Sequence, residues 1–154
     1  MVLGAALAAA APPVFSSRVA YSPLVAKLAA SGGDAARIVR ARTTQDLLRL
    51  DSGRRYKFVV DATGTLAIAP LPADASNNEY VHPILAGGAA VRTAGGIVVT
   101  HAAGKIAKVV VDQDSKSYCP SLASLDEAAQ ALAKLGVAAT LIERQDRAPA
   151  CAAH

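Results

Sequence analysis

The sequence predicts a soluble α+β domain built on a mainly antiparallel β-sheet of four to six strands, with two or three helices on one face. Two β-turn-β units recur along the chain, and the turns within them are too short to hold crossover helices. A capped amphipathic segment follows the second unit. The 154 residues suit one domain and can bury a core without a metal or a disulfide framework.

Two β-hairpins form the centre of the predicted sheet. The β-rich run 56–61 leads through a short turn into a second run, 65–69. Later, the run 96–101 leads through a Gly-containing turn into 105–112. Its alternation of apolar and polar residues gives way to a continuous apolar stretch. We therefore expect the strand 105–112 to begin half-exposed and to end fully buried.

Three helices are predicted around these hairpins. The first begins at Ser22, before a proline that suits the first helical position, and a short second helix follows the threonines at 43–44. The third spans 124–135, because its first Ser and the Glu three residues later have the spacing of a capping box. Residues 35–41 fit either a strand or a helical turn, and 137–142 fit a last strand.

The two ends of the chain differ from this domain in composition. Residues 1–20 are expected to be a disordered or signal-like leader, 21–146 the single domain and 147–154 a flexible tail. The apolar run 2–11 has the length of a signal-peptide core but lacks its basic start, and it is too short to span a membrane. The localisation therefore stays open between the cytoplasm and export.

Charge is distributed unevenly along the chain. Residues 1–60 carry nine Lys and Arg against three Asp, whereas 61–154 carry seven against nine acidic residues. Such a basic half can attract nucleic acid or an acidic surface. No aromatic residues interleave with its arginines to stack on bases, which favours a solvated basic face instead.

The residue types that bind metals do not occur at metal-binding spacings. Cys119 and Cys151 form neither a C-x-x-C motif nor a disulfide framework, and they either pair with each other or remain free thiols. Asp112 and Asp114 lack the glycine and terminal Glu of a calcium loop. We therefore expect no metal and no cofactor.

Four residues are the candidates for catalysis: His82, Tyr118, Cys119 and Asp112. Cys119 is the plausible nucleophile, and it would need His82 and an aspartate beside it in space. Structural roles are favoured, with an incidental or buried thiol and a histidine that orients a turn. Because Pro83 follows His82, the backbone there is predicted to be extended.

Residues 82–120 contain an ordered set of His, Leu, Gly and Val positions. These positions are His82, Leu85, Gly88, Val91, Ala94-Gly95, Gly104-Lys105-Ile106, Val109-Val110 and the closing Ser115-Lys116-Ser117-Tyr118-Cys119-Pro120. The set resembles the C-terminal module of plant IQ-motif calmodulin-binding proteins, which recurs in bacterial proteins of toxin-like or effector-like organisation. The module closes with Ser-Gly-His-Tyr-x-Pro, and Lys116 and Ser117 replace its Gly-His here. The IQ motif lies outside the module, so the resemblance does not imply calmodulin binding.

The candidate binding residues are two adjacent glycines and three arginines, namely Gly87, Gly88, Arg92, Arg54 and Arg55. Backbone N–H groups at glycines can cradle an anion, although a change of chain direction at the pairs 87–88 and 95–96 is the favoured explanation.

Three functions remain open from the sequence. The favoured one is a non-catalytic binding or interaction domain, with a protein partner, in a bacterial protein that is either cytoplasmic or exported. The second is an effector-like or toxin-like enzyme with a pocket around His82, Tyr118 and Cys119. The third is nucleic-acid binding through the basic N-terminal half. No membrane span is expected.

Overall fold

The computed structural model describes residues 11–23, 38–72, 81–149 and 151. Its elements, in chain order, are β1 (Val39–Arg40), α1 (Thr44–Leu48), β2 (Arg55–Asp61), β3 (Leu66–Pro72), α2 (Val81–Leu85), β4 (Val91–Ala102), β5 (Lys105–Asp112), α3 (Leu125–Lys134) and β6 (Ile142–Gln145). Short 3-10 turns precede α3 and β6. Residues 21–23 are helical, and the rest of the helix predicted from Ser22 lies outside the described residues.

The six strands form one sheet in the order β1-β3-β2-β4-β5-β6. The first five pair antiparallel, while β6 runs parallel to β5. The predicted α+β class with a mainly antiparallel sheet is therefore confirmed. The parallel pair arises because α3 connects β5 to β6 and returns the chain to the same end of the sheet.

Two strands have other bounds than the sequence predicts. β4 begins at Val91 and runs through both Gly95 and Gly96, five residues before the predicted start. β6 begins only at Ile142, because the Val137 N–H bonds back to Leu132 at the end of α3 and a 3-10 turn follows. The apolar run after α3 is thus a connection that packs on the core, and not a strand.

The sheet is covered on both faces. On one face, Leu47 of α1 and Leu125 and Leu132 of α3 pack with the side chains of Phe58 and Ile97. On the other face, Leu85 of α2 and Tyr118 pack with small and branched residues, among them Val59, Ala67 and Ala94. Because successive side chains of a strand point to opposite faces, β2 contributes to both cores.

The start of α3 contradicts the capping box that the sequence predicts. The Ser124 hydroxyl bonds to the Ser121 carbonyl at 2.6 Å and to the Thr93 hydroxyl at 2.8 Å. It makes no side-chain cap of α3, because a 3-10 turn already precedes the helix. The Glu127 carboxylate instead pairs with Arg92 of β4.

Both ends of the described chain contact the loop that follows β5. Phe15 exchanges two backbone hydrogen bonds with Val91, and the Arg18 N–H donates to the Ser117 carbonyl at 2.7 Å. A disulfide joins Cys119 to Cys151, which decides between the two states that the sequence left open. Part of the segment predicted as a leader thus pairs with the end of β4 that β5 does not reach.

Candidate functional site

Three of the sequence candidates, His82, Asp112 and Arg55, meet around Gly95 and Gly96 in the middle of β4. We call these five residues the Gly95 cluster. Its contacts decide whether the candidates are available for chemistry.

His82 is a buried, neutral member of the Gly95 cluster. Its Nε2 donates to the Gly95 carbonyl at 2.8 Å, because a carbonyl can only accept. Burial lowers the pKa of His82 to about 3, and the charges of Lys57 and Arg55 act in the same direction. The predicted extended backbone at His82 is wrong, since the residue lies in α2 and Pro83 is tolerated in a first helical turn.

Asp112 is an ionised acceptor that is surrounded by donors. Its Oδ1 accepts from the N–H groups of Gly96 at 2.9 Å and Asp114 at 3.0 Å. The Arg55 guanidinium adds two bonds, 2.9 Å from Nη2 and 3.1 Å from Nε. Burial raises the pKa of Asp112, but these hydrogen bonds outweigh it and hold the pKa below its usual value. The carboxylate is therefore committed to the fold.

Positions 95 and 96 must be glycines because neighbouring atoms leave no room for a Cβ atom. A Cβ at Gly95 would lie 1.8 Å from the Asp112 backbone carbonyl oxygen, and one at Gly96 would lie 2.2 Å from the Arg55 Nε. The expectation that this pair changes the chain direction is wrong, because both residues continue β4. The glycines are needed here because another part of the chain approaches their backbone closely.

Tyr118 and Cys119 are also held in structural contacts. The Tyr118 hydroxyl donates to the Ala89 carbonyl at 2.8 Å, and burial raises its pKa to about 12. Cys119 is bonded to Cys151, so it has no thiolate with which to act as a nucleophile. The hypothesis of Cys119 as the reactive group therefore does not apply to this disulfide-bonded protein.

Two of the predicted binding residues, Gly87 and Gly88, end helix α2. Both have positive φ, at 61° and 77°. Their N–H groups donate to the carbonyls of Ile84 and Pro83. These donors close the helix and are not directed at an anion.

The three predicted binding arginines do not form one site. Arg54 is exposed and pairs with Asp51 at 3.5 Å, while Arg55 belongs to the Gly95 cluster. Arg92 lies at the other end of β2, beside the β2–β3 turn, where it donates to the Ala62 carbonyl at 3.1 Å and pairs with Glu127 at 3.4 Å. Arg92 also lies close to Gly64, a residue that lines a cleft.

That cleft has a volume of about 470 Å³ and lies between the end of β1, the β2–β3 turn and the last turn of α3. We call it the cationic cleft. Its described lining consists of Arg40, Ala41, Arg42, Asp61, Gly64, Thr65, Leu66, Ala131, Lys134 and Leu135.

Three exposed cations from two elements face each other across the cationic cleft. Arg40 and Arg42 flank the buried Ala41 on one side, and Lys134 extends from α3 on the other. Among the described residues, none of the three has an ion-pair partner. The lining therefore carries a net positive charge, which Asp61 reduces but does not cancel.

Gly64 at the tip of the turn brings a fourth cation close to the cleft. A Cβ there would lie 3.1 Å from the Arg92 Nη1 and 3.4 Å from the Lys134 Nζ, and its φ is +86°. A larger residue would strain the turn and push these two side chains apart.

Asp61 is the one carboxylate in the described lining. Its Oδ1 accepts from the Thr63 N–H at 2.9 Å, the Thr63 hydroxyl at 2.6 Å and the Thr65 N–H at 3.0 Å. Partial burial raises the pKa of Asp61, but these bonds outweigh it and hold the pKa below its usual value. The carboxylate thus stabilises the turn.

Sequence reasoning found only part of the cationic cleft. Arg40 and Arg42 belong to the basic first half of the sequence, but no sequence pattern assigned Lys134 or Asp61 to a site. The order Asp61-x-Thr63-x-Thr65 carried a usable signal, because an aspartate followed by such residues caps a turn with its own side chain. The approach of α3 to that turn had no local signal.

Within residues 11–23, 38–72, 81–149 and 151, no group of three or more His, Cys, Asp and Glu is placed to hold a metal ion. No helix in that part of the chain is long and apolar enough to cross a membrane. No protein-family model, curated protein or solved structure matches the chain. The resemblance of residues 82–120 to the plant and bacterial module remains a prediction.

Proposed function

We propose that this chain is a small, non-catalytic binding domain that holds anionic groups in the cationic cleft. The observation that carries the proposal is the convergence of Arg40, Arg42 and Lys134 without ion-pair partners among the described residues.

The geometry of the cleft suits anion binding in two ways. Its volume of about 470 Å³ is within the range of small-molecule sites. Guanidinium groups present paired N–H donors that match the oxygen atoms of carboxylates and phosphates. Asp61 reduces the positive field, and the charge of Arg40 helps to lower its pKa. Its Oδ1 is bonded to the turn, however, and it forms no ion pair with Arg40 among the described contacts.

The enzyme alternative has less support than binding. It requires free catalytic groups, whereas His82 and Asp112 are bonded within the Gly95 cluster and Cys119 is in a disulfide. The side chains of His82, Asp112 and Cys119 therefore stabilise the fold and are not free for catalysis.

Nucleic-acid binding through the basic half also has less support. Arg49, Arg54 and Arg55 each pair with an aspartate, at 3.8, 3.5 and 2.9 Å respectively. Their charges are partly neutralised within the protein, so that among the described residues Arg40 and Arg42 do not continue into a basic stripe through Arg49, Arg54 and Arg55.

The test is a titration of the isotope-labelled protein with inorganic phosphate, followed by NMR. We expect the amide signals of residues 40–42, 64 and 134 to shift in a saturable way, and the effect to weaken as salt is added. The double variant Arg40→Gln/Lys134→Gln should lose the response. Lys105→Gln removes an exposed charge at the β4–β5 turn and should retain it. Equal responses from wild type and double variant would contradict the proposal.

A further inference from the structure

We propose that the ligand of the cationic cleft is a small phosphate monoester with an apolar organic group. This inference rests on the proposed function and adds the class of ligand to it. Two properties of the lining support it: the balance of charge, and an apolar floor below the cations.

The charge balance favours a dianion. Three cations, Arg40, Arg42 and Lys134, face the space, and the one carboxylate of the described lining is ionised. A phosphate monoester carries a charge of about −1.5 to −2 near pH 7, whereas a simple carboxylate carries one unit. Two neighbouring arginines can also donate to separate oxygen atoms of a phosphate monoester. A planar carboxylate has fewer acceptor oxygens for them to share.

The floor of the cleft favours an organic group on that phosphate. Ala41, Leu66 and Ala131 are buried members of the core on the α3 face, and Leu135 packs partly against them. Inorganic phosphate would satisfy the cations and leave the exposed part of this floor, mainly Leu135, in contact with water. A ligand with an apolar group would cover the floor and gain the burial.

The arrangement of the cations does not favour a nucleic-acid backbone. A phosphate chain is tracked by a row of basic groups, often with aromatic residues between them. Here the cations come from the end of β1, from the residues just after it and from α3, and they line a cleft beside Gly64. The described lining includes no aromatic residue.

The experiment compares the affinities of the full chain for phenyl phosphate, inorganic phosphate, benzoate and a single-stranded oligonucleotide by calorimetry at pH 7.5. We expect phenyl phosphate to bind at least about tenfold more tightly than the other small ligands, because it combines the dianion with an apolar ring. Arg40→Gln/Lys134→Gln should lose both phosphates, and Lys105→Gln should bind as wild type does.

Leu135→Asn tests the apolar floor separately from the charge. It should reduce phenyl phosphate binding to the level of inorganic phosphate and leave inorganic phosphate binding unchanged. Should this variant fold poorly, NOEs in the wild-type complex provide the same information. Ring protons of phenyl phosphate should contact the methyl groups of Leu66 and Leu135, and a saturated complex without such NOEs would overturn the inference.

The possible results separate the two proposals. Equal affinity for phenyl phosphate and inorganic phosphate would overturn the ligand class and leave anion binding intact. Equal or tighter binding of benzoate or of the oligonucleotide would likewise overturn the phosphate monoester. If none of the four ligands binds, both this inference and the proposed function are wrong.

Discussion

The Gly95 cluster and the cationic cleft use the same residue types in opposite ways. In the cluster, Arg55 forms two hydrogen bonds with Asp112, and the Arg55 side chain is 25% exposed. In the cleft, the exposed Arg40 has no ion-pair partner among the described residues. A charge whose donors are satisfied inside the protein contributes to stability, whereas an unsatisfied one at a concave surface is available to a ligand. The comparison predicts large stability effects in the first region and binding effects in the second.

The largest expected effect comes from Gly95→Ala. The added Cβ would lie 1.8 Å from a backbone oxygen of Asp112, so the end of β5 must move and the Arg55–Asp112 bonds are lost. We expect the free energy of unfolding to fall by more than about 4 kcal/mol, as measured by urea denaturation. Gly87→Ala is the control, because it has a positive φ but nothing within 4 Å, and it should cost only about 1–2 kcal/mol. Equal losses in the two variants would contradict the close-approach explanation.

Asp112→Ala should have the next largest effect. It leaves Arg55 half-buried without its carboxylate and the Gly96 N–H without an acceptor. We expect a loss of about 3–5 kcal/mol in the free energy of unfolding. The matched control is Asp126→Ala, which breaks an exposed pair with Arg144 and should cost at most about 1 kcal/mol. A cost for Asp112→Ala as small as that of the control would show that the cluster is not a stabilising unit.

A smaller effect is expected from acid, through His82. Its pKa is about 3 in the folded protein against 6.5 for a free side chain, so below pH 6.5 the unfolded chain takes up a proton that the folded one does not. The contribution of the neutral His82 to the free energy of unfolding is therefore fully present well above pH 6.5, and it falls by about 2 kcal/mol by pH 5. The charges of Lys57 and Arg55 oppose protonation and Asp112 favours it.

Two measurements check the pH dependence. Urea denaturation of His82→Gln between pH 5 and 6.5 should lack the slope seen in wild type. The ring signals of His82 in wild type should show no protonation by NMR down to pH 4. A His82 ring that titrates near pH 6.5 in the folded protein would contradict burial in the neutral form.

The smallest expected effect on stability is in the cationic cleft. Arg40→Gln/Lys134→Gln should change the free energy of unfolding by less than about 0.5 kcal/mol, because it removes exposed charges that have no ion-pair partners in the described residues. Thermal unfolding at low salt measures this. A loss above about 1 kcal/mol would mean that these side chains support the fold and are not reserved for a ligand.

Local sequence patterns predicted the strands and helices better than they predicted hydrogen-bond partners and buried polar residues. The apolar runs of β2 and β5, and the stripe of α3, followed from periodicity alone. The capping box failed because Ser124 has two other hydrogen-bond partners, Ser121 and Thr93. The loop after β5 is rich in polar residues, yet Ser115 and Ser117 are buried there, where Arg18 bonds to Ser117 and Cys151 bonds to Cys119.

By itself, the sequence determined the α+β class, the two central hairpins and the basic first half, because these depend on residue order and composition. Tertiary structure alone decided which arginines form ion pairs, because Arg55 pairs with a carboxylate 57 positions away, whereas Arg40 lines a cleft together with the end of α3. It also decided that His82 is neutral. Charge and protonation depend on what lies nearby in space, and distant segments of the chain supply those neighbours.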